Sequence, residues 1–87
     1  MNIKYHRTFL KHFKKRILLH HNLVTKFKER LNLKLSDPTN PALKDHRLSG
    51  KRAEYRSFSI TGDIRVIYKI EGETLFLYDI GTHSQVY

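Results

Sequence analysis

Residues 54–80, EYRSFSITGDIRVIYKIEGETLFLYDI, decide the fold of this chain. Apolar and polar side chains alternate through most of this stretch, which is the period of a β-strand and not of a helix. Two short turns that contain glycine, at 61–63 and 71–73, interrupt the alternation. We therefore predict an antiparallel meander of three strands, over Glu54–Ile60, Asp63–Ile70 and Thr74–Ile80.

Two amphipathic helices are predicted ahead of this meander. Apolar side chains recur at helical spacing, first at Phe9, Phe13 and Ile17, and then at Leu23, Phe27, Leu31 and Leu35. Thr8 and Asn22 belong to residue types that commonly cap helix N-termini, so we expect a helix to begin after each of them. A short break separates the two apolar stripes, which predicts an antiparallel helix hairpin.

The complete order of elements predicts an α+β fold. A short alternating segment at residues 2–5 adds a first strand. Pro38 and Pro41 stop the second helix, and residues 42–53 are expected to form a polar connection to the meander. The predicted order is β-α-α-β-β-β, with the helix hairpin packed on one face of a small antiparallel sheet. A chain of 87 residues without a linker or repeat predicts a single domain over residues 1–87.

Positive charge is concentrated in the first part of the chain. Residues 1–52 carry fourteen basic and three acidic side chains, whereas residues 53–87 carry three and five, for a net charge of +9. A polyanion such as nucleic acid or an acidic protein is therefore the expected partner. The chain has no cysteine, no recognisable secretory signal and no long apolar run. We expect a cytoplasmic protein without disulfides and without membrane contact.

The helix-free face of the sheet is predicted to be polar and cationic. In the middle strand, alternate residues face the helices, and the remaining ones, Arg65, Ile67 and Lys69, face away. Ser59 joins this outward set from the preceding strand. Arg56 has the parity of the helix-facing residues, so it reaches the free face only through a bulge or an edge position. The last strand is apolar on both sides, which leaves its two faces unassigned.

Side chains around this face have the types that RNA cleavage without a metal requires. The reaction needs a base for the 2′-hydroxyl, an acid for the leaving 5′-oxygen, cations beside the phosphate and a surface for the nucleobase. The catalytic candidates are His46, Asp63 and His83. The candidate RNA contacts are Lys44, Arg56, Arg65 and Tyr87. No H-E-x-x-H spacing is present, so no metal site and no cofactor are expected.

Each of these candidates also has a purely structural interpretation. Asp63 follows Gly62 and is equally explained as a turn residue. Arg65 can pair with a carboxylate across the sheet, and a lone loop histidine such as His46 can be a solvated polar residue. The corresponding alternative for the whole chain is a basic binding module that docks on RNA or an acidic peptide without catalysis.

Four segments of the chain carry a family resemblance: LKDHRLSG at 43–50, YR at 55–56, GDIRVIY at 62–68 and GTHSQVY at 81–87. Together they resemble the RelE superfamily of bacterial toxins, most closely its YafQ-like branch. The resemblance implies the toxin of a type II toxin–antitoxin system, which enters the A site of the 70S ribosome, cuts the mRNA and halts translation. A cognate antitoxin protein would neutralise it. ParE-type toxins share the architecture but act on DNA gyrase, which is the alternative function.

The resemblance also implies roles for individual residues. By position, His46 and His83 correspond to catalytic histidines of the family, and Asp63 corresponds to an acidic residue before a strand. Tyr87 corresponds to an aromatic residue that contacts the RNA base, and Arg65 to an arginine that binds the scissile phosphate. Which histidine is the acid and which is the base stays open.

One position departs from the family pattern. Ser59 stands where YafQ-like toxins often have a further histidine. A serine hydroxyl can bond a phosphate oxygen but cannot act as a base near neutral pH. Proton transfer is therefore expected to depend on His83 and His46, with Asp63 orienting or activating them.

Overall fold

A five-stranded sheet lies at the centre of the protein, in a computed structural model that describes residues 1–87. The strands are β1 (Asn2–Tyr5), β2 (His46–Arg47), β3 (Arg56–Ser59), β4 (Ile64–Glu71) and β5 (Thr74–Thr82). The helices are α1 (Arg7–Arg16), α2 (His21–Ser36) and the single turn α3 (His83–Val86). Two 3₁₀ turns, Pro41–Leu43 and Gly50–Arg52, lie in the connection between α2 and β3.

The sheet confirms the predicted α+β fold and adds two features to it. Its order is β1-β5-β4-β3-β2, and β3, β4 and β5 form the predicted antiparallel meander. β1 pairs in parallel with β5, so the sheet is mixed instead of wholly antiparallel. The predicted polar connection contains β2, which pairs with β3 at the sheet edge. A strand of two residues is too short to produce a detectable period.

Both long helices begin earlier than predicted. His6 is the N-cap of α1, and its Nδ1 accepts a hydrogen bond from the backbone N–H of Thr8 at 3.0 Å. His20 precedes α2 and makes no capping bond with its side chain. The predicted caps Thr8 and Asn22 are therefore wrong, since both residues lie inside the helices. A histidine ring nitrogen fills at α1 the acceptor role that is usual for a hydroxyl or carboxylate.

The helices and one face of the sheet enclose the main core, which contains twelve buried apolar residues. They are Phe9, Ile17, Phe27, Leu31, Leu43, Phe58, Ile60, Val66, Tyr68, Leu75, Leu77 and Ile80. The predicted apolar stripe of α2 holds except at its last turn. There Leu35 is 39% exposed, and Lys34 is buried in its place. None of the helices combines the length and hydropathy needed to cross a membrane.

The opposite face of the sheet carries a much smaller cluster, in which Leu48, Ile67 and Val86 are buried. A register shift opposite Ile67 inserts one extra residue into β5. Because of this bulge, Tyr78 packs against the small cluster, while the residues on either side of the bulge return to the main core. The bulge resolves the two apolar faces of β5 that the sequence pattern left unassigned.

Candidate active site

His46, His83 and Tyr87 lie together beside the small cluster. The hydroxyl oxygen of Tyr87 is 3.2 Å from Nε2 of His46. The ring of Tyr87 also stands edge-on to the ring of His83, with 4.2 Å between centroids and 89° between planes. The three side chains line an open cavity of about 420 Å³, together with Arg47, Leu48, Ser49 and Arg52. Residues separated by almost forty positions in the sequence thus share one site.

The turn α3 is held in place by hydrogen bonds from both sides of the site. The backbone N–H of Thr82 donates to Oε1 of Gln85 at 2.8 Å, which closes the start of the turn. Nη1 of Arg52 donates to the carbonyl of Val86 at 2.6 Å, which fixes its end. Gly81 permits this tight exit from β5, because a side chain there would lie 2.7 Å from Oε1 of Gln85. His83 and Tyr87 are therefore carried by a well-anchored segment.

Contacts of Asp79 and Ile80 anchor the neighbouring part of β5 to α1. Nδ1 of His12 lies 2.6 Å from a carboxylate oxygen of Asp79, and Nη1 of Arg16 lies 3.7 Å from the same oxygen. Arg16 also donates to the carbonyl of Ile80 at 2.9 Å. These contacts lie where β1 no longer pairs with β5, so α1 takes over the free edge of the strand that leads into the site.

The hydrogen bonds of His46 determine its tautomer. Nδ1 lies 3.1 Å from the carbonyl oxygen of Lys44, and a carbonyl can only accept. Nδ1 therefore carries the proton in the neutral ring, and Nε2 has a free lone pair. It follows that the Tyr87 hydroxyl donates to Nε2 of His46. The ring is thus a hydrogen-bond acceptor toward the cavity.

Asp63 lies next to His83, but it contacts the backbone and not the imidazole. Its Oδ1 is 3.5 Å from the backbone nitrogen of His83, at the start of α3. Asp63 also belongs to the turn between β3 and β4, where its backbone N–H donates to the hydroxyl of Thr61 at 3.3 Å. The turn interpretation thus describes a contact that is present, and the catalytic role of Asp63 stays a prediction.

Arg65 lies on the helix-free face, as its parity predicts. It is opposite Ser59 on one side and Gly81 on the other, two residues before His83. It makes no ion pair, and its Nη1 is buried without a hydrogen-bond partner. The hydroxyl of Ser59 donates to the carbonyl of Thr61 and is therefore engaged in the adjacent turn. Arg65 is the cation at this end of the sheet with an unused donor.

A family model described as the YafQ bacterial toxin of a type II toxin–antitoxin system matches residues 1–87. The chain belongs to the YafQ family. No curated protein matches it. Membership makes the chain the toxin of a type II system and, at the level of the family, a toxin of the ribonuclease type. The family resemblance predicted from the sequence is confirmed.

Solved structures support the same family assignment. YafQ from E. coli strain BL21(DE3) is 26% identical, with a TM-score of 0.84 over 99% of this chain and 97% of that one. YafQ in the E. coli DinJ–YafQ complex is 26% identical, with a TM-score of 0.82 over the same shares. A metal-bound toxin from Helicobacter pylori is 30% identical, with a TM-score of 0.74 over 100% of this chain and 99% of that one.

Two of the predicted RNA contacts of this YafQ-family chain lie away from the histidines. Arg56 is on the helix-facing side of β3, in agreement with its parity, and its Nε donates to Oδ1 of Asp45 at 2.7 Å. Lys44 lines a second cavity of about 460 Å³, which Arg56 also lines. The structure thus brings His46, His83 and Tyr87 together in one cavity. Asp63 contacts the backbone of His83, and Arg65 pairs with Gly81, but neither lines that cavity. Lys44 and Arg56 lie around the second cavity.

The second cavity is built around a buried carboxylate that the sequence did not single out. Asp45 accepts from Nζ of Lys34 at 2.8 Å, from Arg56 and from the Tyr68 hydroxyl. Burial by itself raises the pKa of the Asp45 carboxyl, but the hydrogen bonds from Lys34, Tyr68 and Arg56 outweigh it and hold the pKa below the ordinary 3.8. Burial, and then the bond to Asp45, raise the pKa of the Tyr68 hydroxyl well above its ordinary 10.0.

The sequence pattern did not identify two further cations beside His46 and His83. Arg47 and Arg52 line the cavity that contains His46 and His83. Their only sequence signal is position, because Arg47 directly follows His46 and Arg52 ends the short basic pair Lys51-Arg52. Neither spacing nor periodicity places a loop arginine in a particular cavity, so the contact becomes visible only in the fold.

Proposed function

We propose that this YafQ-family toxin is a ribosome-dependent, metal-independent endoribonuclease that cuts mRNA in the ribosomal A site and is neutralised by a cognate antitoxin. The observation that carries the proposal is the array of His46, Tyr87 and His83 in one cationic cavity. This array offers two groups that can transfer protons near neutral pH and an aromatic surface for a base.

The tautomer of His46 favours this residue as the base. Its Nε2 accepts from the Tyr87 hydroxyl. We propose that the hydroxyl passes its proton to Nε2 while it takes the proton of the ribose 2′-hydroxyl. The 2′-oxygen then forms a bond to the adjacent phosphorus, and the bond from phosphorus to the 5′-oxygen breaks. The products are a 2′,3′-cyclic phosphate and a 5′-hydroxyl.

His83 is then assigned as the acid. As an imidazolium it protonates the leaving 5′-oxygen, and its exposed side chain on α3 is accessible to RNA. Asp63 holds the backbone of His83, which would keep the ring in a constant position. The negative charge that develops on the phosphorane requires cations, and we assign that role to Arg65, which lies opposite Gly81 at the end of the sheet that leads into α3. Arg47 and Arg52 would hold the flanking phosphates.

The proposed antitoxin follows from the family and from the charge of the chain. DinJ is the antitoxin in the E. coli complex, and we propose that this chain has an equivalent acidic partner. A net charge of +9 would accelerate the encounter with such a partner and make the association rate fall with salt. The sign of the charge also suits a surface that enters a ribosomal site lined by RNA.

Mapping of RNA 5′-ends after induction in cells tests the proposal. Expression without antitoxin should stop growth and produce new mRNA ends at consistent positions within codons. His83→Ala should abolish both effects while the protein still accumulates, because His83 is exposed and lies outside both buried clusters. Growth arrest with intact mRNA and damaged DNA would instead support a gyrase mechanism.

The chemistry of the new ends tests metal independence separately. Purified toxin and mRNA-programmed 70S ribosomes should yield ends with a 2′,3′-cyclic phosphate and a 5′-hydroxyl. Metal-activated water would leave a 5′-phosphate or a linear 3′-phosphate as the primary product. Cleavage of the same mRNA at equal rates without ribosomes would contradict the ribosome-dependent part of the proposal.

A further inference from the structure

Asp45 and His46 are neighbours in sequence but their side chains enter different surroundings. His46 lines the cavity with Tyr87, whereas Asp45 is enclosed by side chains of the helix-covered side. The Asp45 side chain is only 12% exposed. A buried carboxylate one residue from a proposed base, and outside the catalytic cavity, requires an explanation.

Asp45 connects three separate elements of the fold. Its carboxylate accepts from Lys34 on α2, from Arg56 on β3 and from Tyr68 on β4. The Lys34 side chain is only 7% exposed and lies over the ring of Tyr68, with 4.7 Å from Nζ to the centroid. The segment that contains His46 is therefore attached, at Asp45, to α2, β3 and β4. We call this group of four side chains, Lys34, Asp45, Arg56 and Tyr68, the Asp45 clasp.

The backbone on the other side of Asp45 determines the state of His46. Lys44 has a φ of 48°, a conformation that residues with side chains rarely adopt, so surrounding contacts must hold it. In this conformation its carbonyl lies 3.1 Å from Nδ1 of His46. The strand β2 that follows has two residues and pairs only with β3, so it supplies little restraint of its own.

We propose that Asp45 is a positioning residue of the nuclease site, which acts by holding the Lys44 carbonyl against His46 and thereby fixing the imidazole tautomer. The inference rests on the proposed function, in which Nε2 of His46 must be the unprotonated nitrogen. Without the clasp, the segment that starts at Lys44 can rotate, and Nδ1 of His46 loses its acceptor. Both tautomers of the neutral ring then become populated, and only one of them can accept from Tyr87.

The test is the tautomer of His46, measured by ¹⁵N NMR of the imidazole rings in the full chain. In the wild type we expect the Nδ1–H form to dominate for His46. In Asp45→Asn we expect a mixture of tautomers for His46 and an unchanged His83. Ribosome-dependent cleavage should fall about tenfold in kcat with KM within twofold, because RNA contacts remain and the base is less often in its active form. The NMR measurement does not depend on cleavage. It therefore tests the role of Asp45 even if the protein proves not to be a nuclease.

Asp45→Asn leaves Lys34 as a buried cation without its partner and can prevent folding. The double variant Lys34→Met/Asp45→Asn removes both charges, keeps the volume of the clasp and should show the same change in His46. Leu31→Ala is the control for general loosening, since Leu31 lies on α2 within the main core and contacts neither histidine. It should lower stability and leave the His46 tautomer unchanged.

Two results would overturn the inference. One is a folded Asp45→Asn or double variant in which His46 keeps the wild-type tautomer and kcat. The other is an equal change of tautomer in Leu31→Ala, which would reduce Asp45 to a contributor to stability. If the wild-type protein shows the expected His46 tautomer but does not cleave mRNA, the proposed function fails. The effect of the Asp45 clasp on His46 is then still tested by the NMR comparison.

Discussion

The two faces of the sheet differ in how much apolar surface they bury. The helix-covered face contributes to a core of twelve buried apolar residues, while the apolar cluster of the free face buries three, Leu48, Ile67 and Val86. The candidate site residues His46, His83 and Tyr87 all belong to the free face and are exposed, with Tyr87 at 38%. Stability and proposed chemistry are thus carried by different sides of the same strands.

This separation explains how a small domain tolerates an open, cationic cavity. Holding Arg65 with an unpaired buried nitrogen costs free energy, as does leaving the rings of the site exposed. The helix-covered core offsets those costs. The Lys44–His46 segment belongs to both sides, because it leaves the Asp45 clasp and enters the cavity that His83 and Tyr87 line.

The largest expected effect is on stability and comes from the helix-covered face. Phe58 is fully buried and packs edge-on against Tyr68 with 5.5 Å between centroids. Phe58→Ala should lower the free energy of unfolding by about 3–5 kcal/mol, a large share of the total for a domain of this size. Urea denaturation of both proteins measures the difference. Leu48→Ala, in the small cluster of the free face, should cost about 2 kcal/mol; an equal loss in the two variants would break the proposed asymmetry.

The next effect is on catalysis and comes from the free face. Arg65→Ala should slow ribosome-dependent cleavage by about 2–4 kcal/mol in the activation free energy, because it removes a donor from the developing phosphorane charge. Stability should not fall, since the buried Nη1 of Arg65 has no hydrogen-bond partner to lose. Single-turnover cleavage and urea denaturation measure the two quantities.

Lys69→Ala is the matched control for the arginine. Lys69 lies on the same strand as Arg65, and its substitution removes the same charge. Its Nζ lies over the rings of Tyr55 and Phe76 and not beside His46 or His83. Its cleavage rate should stay close to the wild type. An equal slowing in both variants would show that net charge, and not the position of Arg65, governs the rate.

The sequence predicts this division between faces well. Alternation in β4 assigns Arg65 to the free face, alternation in β3 assigns Arg56 to the helix-facing side, and both assignments hold. The family resemblance brings His46 and His83 forward, and the structure places both in one cavity. Such features are recoverable because strand parity and a terminal motif are local properties of the chain.

The Asp45 clasp and the arginines of the cavity are not local, and the sequence did not reveal them. Lys34 and Leu35 are neighbours on α2, and the lysine is buried whereas the leucine is exposed. Only the packing of α2 against the rest of the protein decides which of the two is buried. The bulge in β5 likewise depends on the strand opposite it. Contacts of this kind join residues that are distant in sequence, so no periodic pattern records them.

A smaller effect on catalysis is expected from the hydroxyl of Tyr87. Tyr87→Phe keeps the ring against His83 but removes the hydrogen bond to Nε2 of His46. Cleavage should fall about tenfold, the equivalent of about 1.4 kcal/mol, while RNA binding is retained. Tyr78→Phe removes a hydroxyl from the same face of the sheet, at a ring that packs against Tyr55 and His6 instead of His46 or His83. It should cleave normally, and full activity of Tyr87→Phe would exclude the hydroxyl from the proton path.

The smallest effect lies in the pH dependence of stability on the helix-covered side. The pKa of the Tyr68 hydroxyl is raised in the folded protein by burial and then by its bond to Asp45. A raised pKa contributes stability that is complete below the unfolded value of 10.0 and declines as the pH rises above it, because only the unfolded chain then loses the proton. Wild type should therefore lose about 1.4 kcal/mol per pH unit above pH 10 relative to Tyr68→Phe.

Urea denaturation of both proteins from about pH 8 to about pH 11, a range that brackets the ordinary tyrosine pKa of about 10, measures this difference. Below that range the hydroxyl should favour the wild type by about 1 kcal/mol, through its hydrogen bond to Asp45. Near pH 11 the advantage should vanish or reverse, since the decline over one unit exceeds it. The other tyrosines ionise in both proteins, so they cancel in the comparison. If the stability difference between wild type and Tyr68→Phe stayed constant across this pH range, Tyr68 would ionise equally in the folded and unfolded states. The Tyr68 hydroxyl would then not be enclosed by the Asp45 clasp.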